Sequence, residues 1–155
     1  RGVDARHHQP GGADRGRERK GRSPAPKRLA AAAEARAAAL GVPIVFAACD
    51  PGGHLMLLHR MEDSLLGSID IATNKAFTSA AFKLPTDALA AQVIPGGSLY
   101  GIELSNDGRV VVFGGGMPVF LNGRLAGAIG VSGGTVEQDM DIAQHALRSE
   151  YPNDH

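Results

Sequence analysis

His59 and Arg60 close the apolar run HLMLLHRM and bring together an imidazole and a guanidinium. A neutral imidazole can ligate a haem iron or the cobalt of a corrinoid, and a guanidinium pairs with carboxylate or phosphate. His59 is therefore the candidate metal ligand. His54 opens the same run, five residues earlier. That odd spacing puts the two rings on opposite faces of a strand, so one site cannot easily use both. Lys75 is a second cation suited to an acidic ligand. Arg60 and Lys75 can equally form surface ion pairs with Glu62, Asp63 or Asp70.

Backbone chemistry is concentrated in GRVVVFGGGMPVFLNGRLAGAIGVSGG, residues 108 to 134. Gly114, Gly115 and Gly116 follow one apolar run and precede Met117, Pro118 and another. A dinucleotide loop needs a helix at that point, so this reading fails. Two readings remain: a bulged turn, or a wall against which a flat ligand lies close to backbone. Ser132, Gly133, Gly134 and Thr135 open a helix. Free amides there suit a phosphate or propionate, or serve ordinary capping. Asp139 and Asp141 favour the dipole of that helix, which also carries His145. Cys49 ends PIVFAAC and reads as a buried, inert thiol. The sequence contains no Gly-x-Ser-x-Gly elbow, P-loop or His-Glu-x-x-His helix.

The elements that must position these groups follow from periodicity and punctuation. LAAAAEARAAAL is a strong helix former, ended by Gly41 and Pro43. PIVFAAC and HLMLLHRM flank Asp50-Pro51-Gly52-Gly53 as a hairpin. A helix is predicted over roughly 64 to 82, with Asp63 or Ser64 as its cap. Pro85 stops it, and Thr86 caps a shorter helix, TDALAAQV. Asn106-Asp107-Gly108, between LYGIEL and RVVVF, signals a hairpin. Asn122-Gly123, between MPVFL and LAGAIGV, signals another more strongly. Thr135 and Gln138 form a capping box for the last helix, which runs to about Arg148. The order α-β-β-α-α-β-β-β-α predicts an α+β domain with a five-stranded antiparallel sheet flanked by helices.

The chain has 155 residues and zero formal net charge, but the charge is divided unevenly. Residues 1 to 28 hold nine Lys/Arg and three Asp/Glu; the remainder holds seven and thirteen. The basic stretch lacks an apolar face, so residues 1–27 are expected to be a disordered tail or linker. His7 and His8 within it read as solvated. No aromatics are interleaved for base stacking, which argues against a nucleic-acid arm. The domain proper is expected over 28–150, with 151–155 as a C-terminal tail. No apolar run reaches the roughly 18 residues of a membrane span, and a single cysteine gives no disulfide framework. The cytoplasm is the expected compartment.

DPGGHLMLLHRM, SIDIATNKAFTSAAF, PGGSLYGI, GRVVVFGGGMPVF, NGRLAGAIGVSGG and QDMDIAQHAL, in that order, resemble the GlcG/HbpS family. The likeness is nearest to the C-terminal domain of PduO-type corrinoid adenosyltransferases and their stand-alone relatives, and it spans roughly 28–148. It implies an antiparallel α+β domain, a homo-oligomer from dimer to octamer, and haem or cobalamin as cofactor. It implies as partners a corrinoid adenosyltransferase or diol dehydratase system. The adenosyltransferase active site belongs to a separate helical domain and is not carried over. The leading functional reading is a non-catalytic tetrapyrrole-binding module. In it Gly114 to Pro118 form a wall, Arg60 or Lys75 meets the acidic groups, and Ser132 and Gly133 offer amides. The alternatives are an enzyme acting on a small acid or carbonyl compound through Lys75 or Arg60, and a purely structural oligomer.

Overall fold

A computed structural model describes residues 23–155. Helix α1 (Pro26–Leu40) leads into strands β1 (Val45–Cys49) and β2 (Leu55–Arg60). Helix α2 (Ser68–Phe82) follows, then three 3-10 turns, at Thr86–Gln92, Ile102–Leu104 and Asn106–Gly108. Strands β3 (Gly116–Leu121) and β4 (Arg124–Ser132) and helix α3 (Val136–Glu150) complete the chain. The sheet is antiparallel throughout, in the order β2-β1-β4-β3. Among the described residues no helix is long and apolar enough to cross a membrane.

The expected fifth strand does not form; the sheet has four. RVVVF lies outside it, and the LYGIEL segment coils into 3-10 turns. The reason is local. Gly101, Asn106, Asp107 and Gly108 all take positive φ, between 52° and 91°. Such residues interrupt extended backbone, and the signal taken for a hairpin makes successive turns instead. Two helix boundaries also move. Asp63 is left-handed and Ser64 Oγ donates to the Met61 carbonyl at 2.7 Å, so α2 starts later, after Gly67. Thr86 does not cap its segment; its Oγ1 accepts the Gly116 amide at 2.9 Å.

The sheet buries both faces, and β1 shows how. Phe46 and Ala48 face α1 and α3, joining Leu29, Ile129, Ile142 and Leu147. Val45, Ala47 and Cys49 face α2, meeting Ala72, Ala76 and Ala80. All five β1 residues are buried, as expected of a central strand covered on both sides. Alanines on α2 let the helix lie close to the sheet. Gly130 completes this fit, because a methyl there would stand 2.0 Å from the Ala72 carbonyl oxygen. Asn122 and Gly123 both have positive φ, as a tight hairpin between β3 and β4 requires. The Thr135–Gln138 capping box closes reciprocally at the start of α3.

Candidate functional site

Helical spacing places Lys75 beside Ala72, Ala76 and Ser79 on the buried face of α2. Its ammonium is fully buried. It donates to the Val131 carbonyl at 2.8 Å and to Asp139 Oδ2 at 3.1 Å, and it stands 5.0 Å from the centre of the Phe113 ring. Burial pushes the Lys75 pKa down, and the attraction of Asp139 opposes that. Burial pushes the Asp139 carboxyl up; Lys75 and the amides of Gly134 and Gly133 oppose it. Lys75 is thus enclosed and committed, and it meets none of the surface acids proposed as its partners.

The glycine-rich segments are shaped around this pair. A methyl on Gly115 would lie 2.6 Å from Lys75 Nζ and 2.6 Å from the Val131 carbonyl oxygen. Gly114 and Gly116 are similarly pressed, by Met140 and by α2. At the start of α3 the Gly134 amide donates to Asp139 Oδ1 at 2.9 Å. The anion resting on this glycine turn is therefore the protein's own carboxylate. Ser132 Oγ is buried and bonds Ser68 Oγ at 3.0 Å, and Gly133 lies against the Pro43 carbonyl.

Gly115 and Met117 also look outward. With Pro85, Asp87, Met140 and Gln144 they line a cavity of about 140 Å³ at the β3 edge. Pro118 beside them is buried. A cavity of this size is below the roughly 300 Å³ at which small-molecule pockets begin.

His59 and Arg60 sit on β2, at the opposite edge of the sheet from β3. Within one chain they cannot share a ligand with the Gly114–Pro118 segment. His59 is exposed, and its Nδ1 is hydrogen-bonded to Glu34 Oε1 of α1. A carboxylate on one ring nitrogen fixes the ring and raises the basicity of the other, the usual arrangement behind a metal-bound imidazole. His59, held by Glu34, could hold a metal through its other ring nitrogen. Arg60 is exposed on the other face of the strand. On the His59 side, a more open hollow of about 350 Å³ lies between Met56 and the start of α1, where Lys27 and Arg28 supply positive charge. No group of three or more His, Cys, Asp or Glu among the described residues could hold a metal by itself. Cys49 is buried, its thiol pushed up to about 11 by burial.

Sequence reasoning missed Glu34 and the internal role of Asp139. Nothing local marks Glu34, because the α1–β2 contact is tertiary. The burial of Lys75 had a signal: its position among the alanines of α2.

Fold and site together define an α+β domain with a carboxylate-oriented surface imidazole and a closed ionic core. The chain belongs to the HbpS-like family, described as haem degrading protein HbpS-like, whose model matches residues 25–148. It is 50% identical over 123 residues to an uncharacterized 15.0 kDa protein of the dhaT-dhaS intergenic region of Citrobacter freundii, covering 79% of this chain and 87% of that protein. It is 46% identical over 119 residues to the corrinoid adenosyltransferase PduO of the same organism, covering 77% of this chain but only 36% of the enzyme. Among solved structures it is similar to a PduOC:heme complex, with 46% identity, a TM-score of 0.78, and 79% and 89% of the two chains covered.

Proposed function

We propose that this chain is a non-catalytic haem-binding module in which His59, oriented by Glu34, would hold the iron. The observation that carries the reading is the Glu34–His59 hydrogen bond on an exposed strand, which prepares Nε2 for a metal. The family and the haem complex of a similar protein support haem as the group. The haem would supply ligand binding or redox chemistry; the chain presents the His59 ring, and Lys27 would meet a propionate, Arg28 being paired with Glu150. The Gly115–Met117 surface belongs to a separate face, so the ligand is not sandwiched between the two within one chain. A corrinoid is the second candidate ligand, with a corrinoid adenosyltransferase or diol dehydratase system as the partner in the cytoplasm. Self-association is part of this reading, because an open surface imidazole leaves most of a tetrapyrrole uncovered.

Titration of the full chain with haemin tests it. A saturable Soret shift is expected, lost in His59→Ala and kept in His145→Ala. An unchanged Soret band, or equal binding by His59→Ala, rejects the assignment. Cobalamin titrated in parallel by calorimetry separates the two ligands.

A further inference from the structure

Haem binding at His59 leaves the buried Lys75–Asp139 pair unused. Lys75 commits two of its three N–H groups, one to the Val131 carbonyl and one to Asp139 Oδ2. Asp139 divides its oxygens in the same way. Oδ1 accepts the Gly134 amide at 2.9 Å, and Oδ2 faces the ammonium at 3.1 Å. One oxygen is anchored, and the other stands within reach of a proton on Nζ. Burial favours the neutral form of each group, lowering the pKa of the amine and raising that of the carboxyl. A desolvated lysine amine is the group that forms Schiff bases with carbonyl compounds, and a carboxyl beside it moves the protons.

Toward solvent, an aromatic ring covers the amine. The centre of the Phe113 ring stands 5.0 Å from Lys75 Nζ, yet Phe113 is 41% exposed. Among the described residues it joins neither apolar cluster of the core. Phe113 thus reaches from the ammonium to water. Its backbone lies outside the sheet and is followed at once by Gly114 and Gly115. Gly115 has a φ of 124°, and a methyl on it would lie 2.6 Å from Nζ. The wall beside the amine is therefore bare backbone, and the ring is the part of the cover that can move.

We propose that Lys75 captures small apolar aldehydes as a Schiff base when Phe113 swings off it, the carbon chain taking the place of the ring. Nζ passes a proton to Asp139 Oδ2, and its lone pair attacks the carbonyl carbon. Asp139 returns that proton to the carbonyl oxygen, and the nitrogen gives Asp139 a second one, leaving a carbinolamine. Asp139 delivers the second proton to the hydroxyl, water leaves, and the nitrogen lone pair closes the C=N bond. Nothing is oxidised or reduced. The iminium keeps the positive charge of the ammonium, so the buried Asp139 carboxylate stays compensated. An acid suits this place less well than a neutral aldehyde, because its carboxylate would stand against Asp139. The phenyl ring that is displaced sets the size of the chain that fits. His59 lies on β2, at the far edge of the sheet, so capture at Lys75 stands apart from haem binding.

Treatment of the full chain with butanal and cyanoborohydride at pH 6 tests this, because the hydride reduces each imine to a stable secondary amine. Peptide mass spectrometry then gives the labelling rate at each lysine. Ordinary lysines, with pKa values of about 10.4, are almost wholly protonated at that pH and react slowly. Lys75 should be labelled roughly tenfold faster than the exposed Lys27 and Lys83, and the preference should vanish in urea. Phe113→Ala should raise the Lys75 rate severalfold and leave those of Lys27 and Lys83 unchanged. Labelling of Lys75 no faster than that of Lys27 and Lys83 overturns the proposal. A fast rate at Lys75 that Phe113→Ala leaves unchanged overturns Phe113 as the cover. If Phe113→Ala fails to fold, the order of the three lysines in the wild type decides.

Discussion

Lys75 and Asp139 are worth more as a pair than either is alone. Each is desolvated, and each supplies the charge that makes the other's burial tolerable. Removing one leaves an uncompensated buried charge, at a cost of about 3 to 5 kcal/mol. Lys75→Met should therefore lower urea-unfolding stability by about that amount, and adding Asp139→Leu should recover part of it. Recovery of nothing would mean that Lys75 acts by packing rather than charge. Asp141 tests electrostatics at the surface. Arg36 donates to both of its oxygens, at 3.0 and 2.9 Å, and holds its pKa below the ordinary value of 3.8. A carboxyl whose pKa is depressed by folding contributes stability above its unfolded pKa, and that contribution disappears as pH falls through the folded value. Asp141→Asn should thus narrow the gap between melting temperatures at pH 6 and pH 2, measured by circular dichroism. An equal gap in both proteins removes this pair from the acid response.

At the scale of elements, the packing of α2 on β4 sets the thickness of the molecule. Gly130→Ala forces that helix outward and should cost about 3 kcal/mol in denaturant unfolding, because carbonyl oxygen rather than a movable side chain opposes the added methyl. A loss under about 1 kcal/mol would show that α2 slides freely on the sheet. The same comparison explains what was readable in the sequence. Gly41 after α1, the Asn122-Gly123 turn and the Thr135 capping box are contained within a few residues, so their chemistry is visible locally. RVVVF reads equally well as a strand, and it is kept out of the sheet by the positive-φ turns before it and by the Thr78 hydroxyl, which accepts the Val111 amide at 3.0 Å. The pairing of β1 with β4 joins segments far apart in sequence and has no local signature. For the site, His59 stands out in the sequence as a candidate, but its hydrogen bond with Glu34 has no local signal there. Lys75 was misplaced on the surface because its charge outweighed its position on an alanine face.

At the scale of the whole molecule, the outer edge of β3 is covered: Thr86 Oγ1 accepts the Gly116 amide, Pro118 has no amide to offer, and Asp154 Oδ1 accepts the Asn122 amide at 3.3 Å. The Tyr151 carbonyl anchors the turn that carries Asp154, accepting the Asp154 and His155 amides at 3.2 Å. The β2 edge has no such cover among the described residues, so loosening this clasp would give each copy two unlike adhesive ends. The β2 edge of one copy could then add to the β3 edge of the next without limit. Asp154→Ala should give turbidity that grows with protein concentration relative to the unchanged chain, read as light scattering over hours. Clear solutions at every concentration would assign the seal to Pro118 and Thr86 alone. One carboxylate beside one hairpin would in that way decide whether copies can add to one another at that edge.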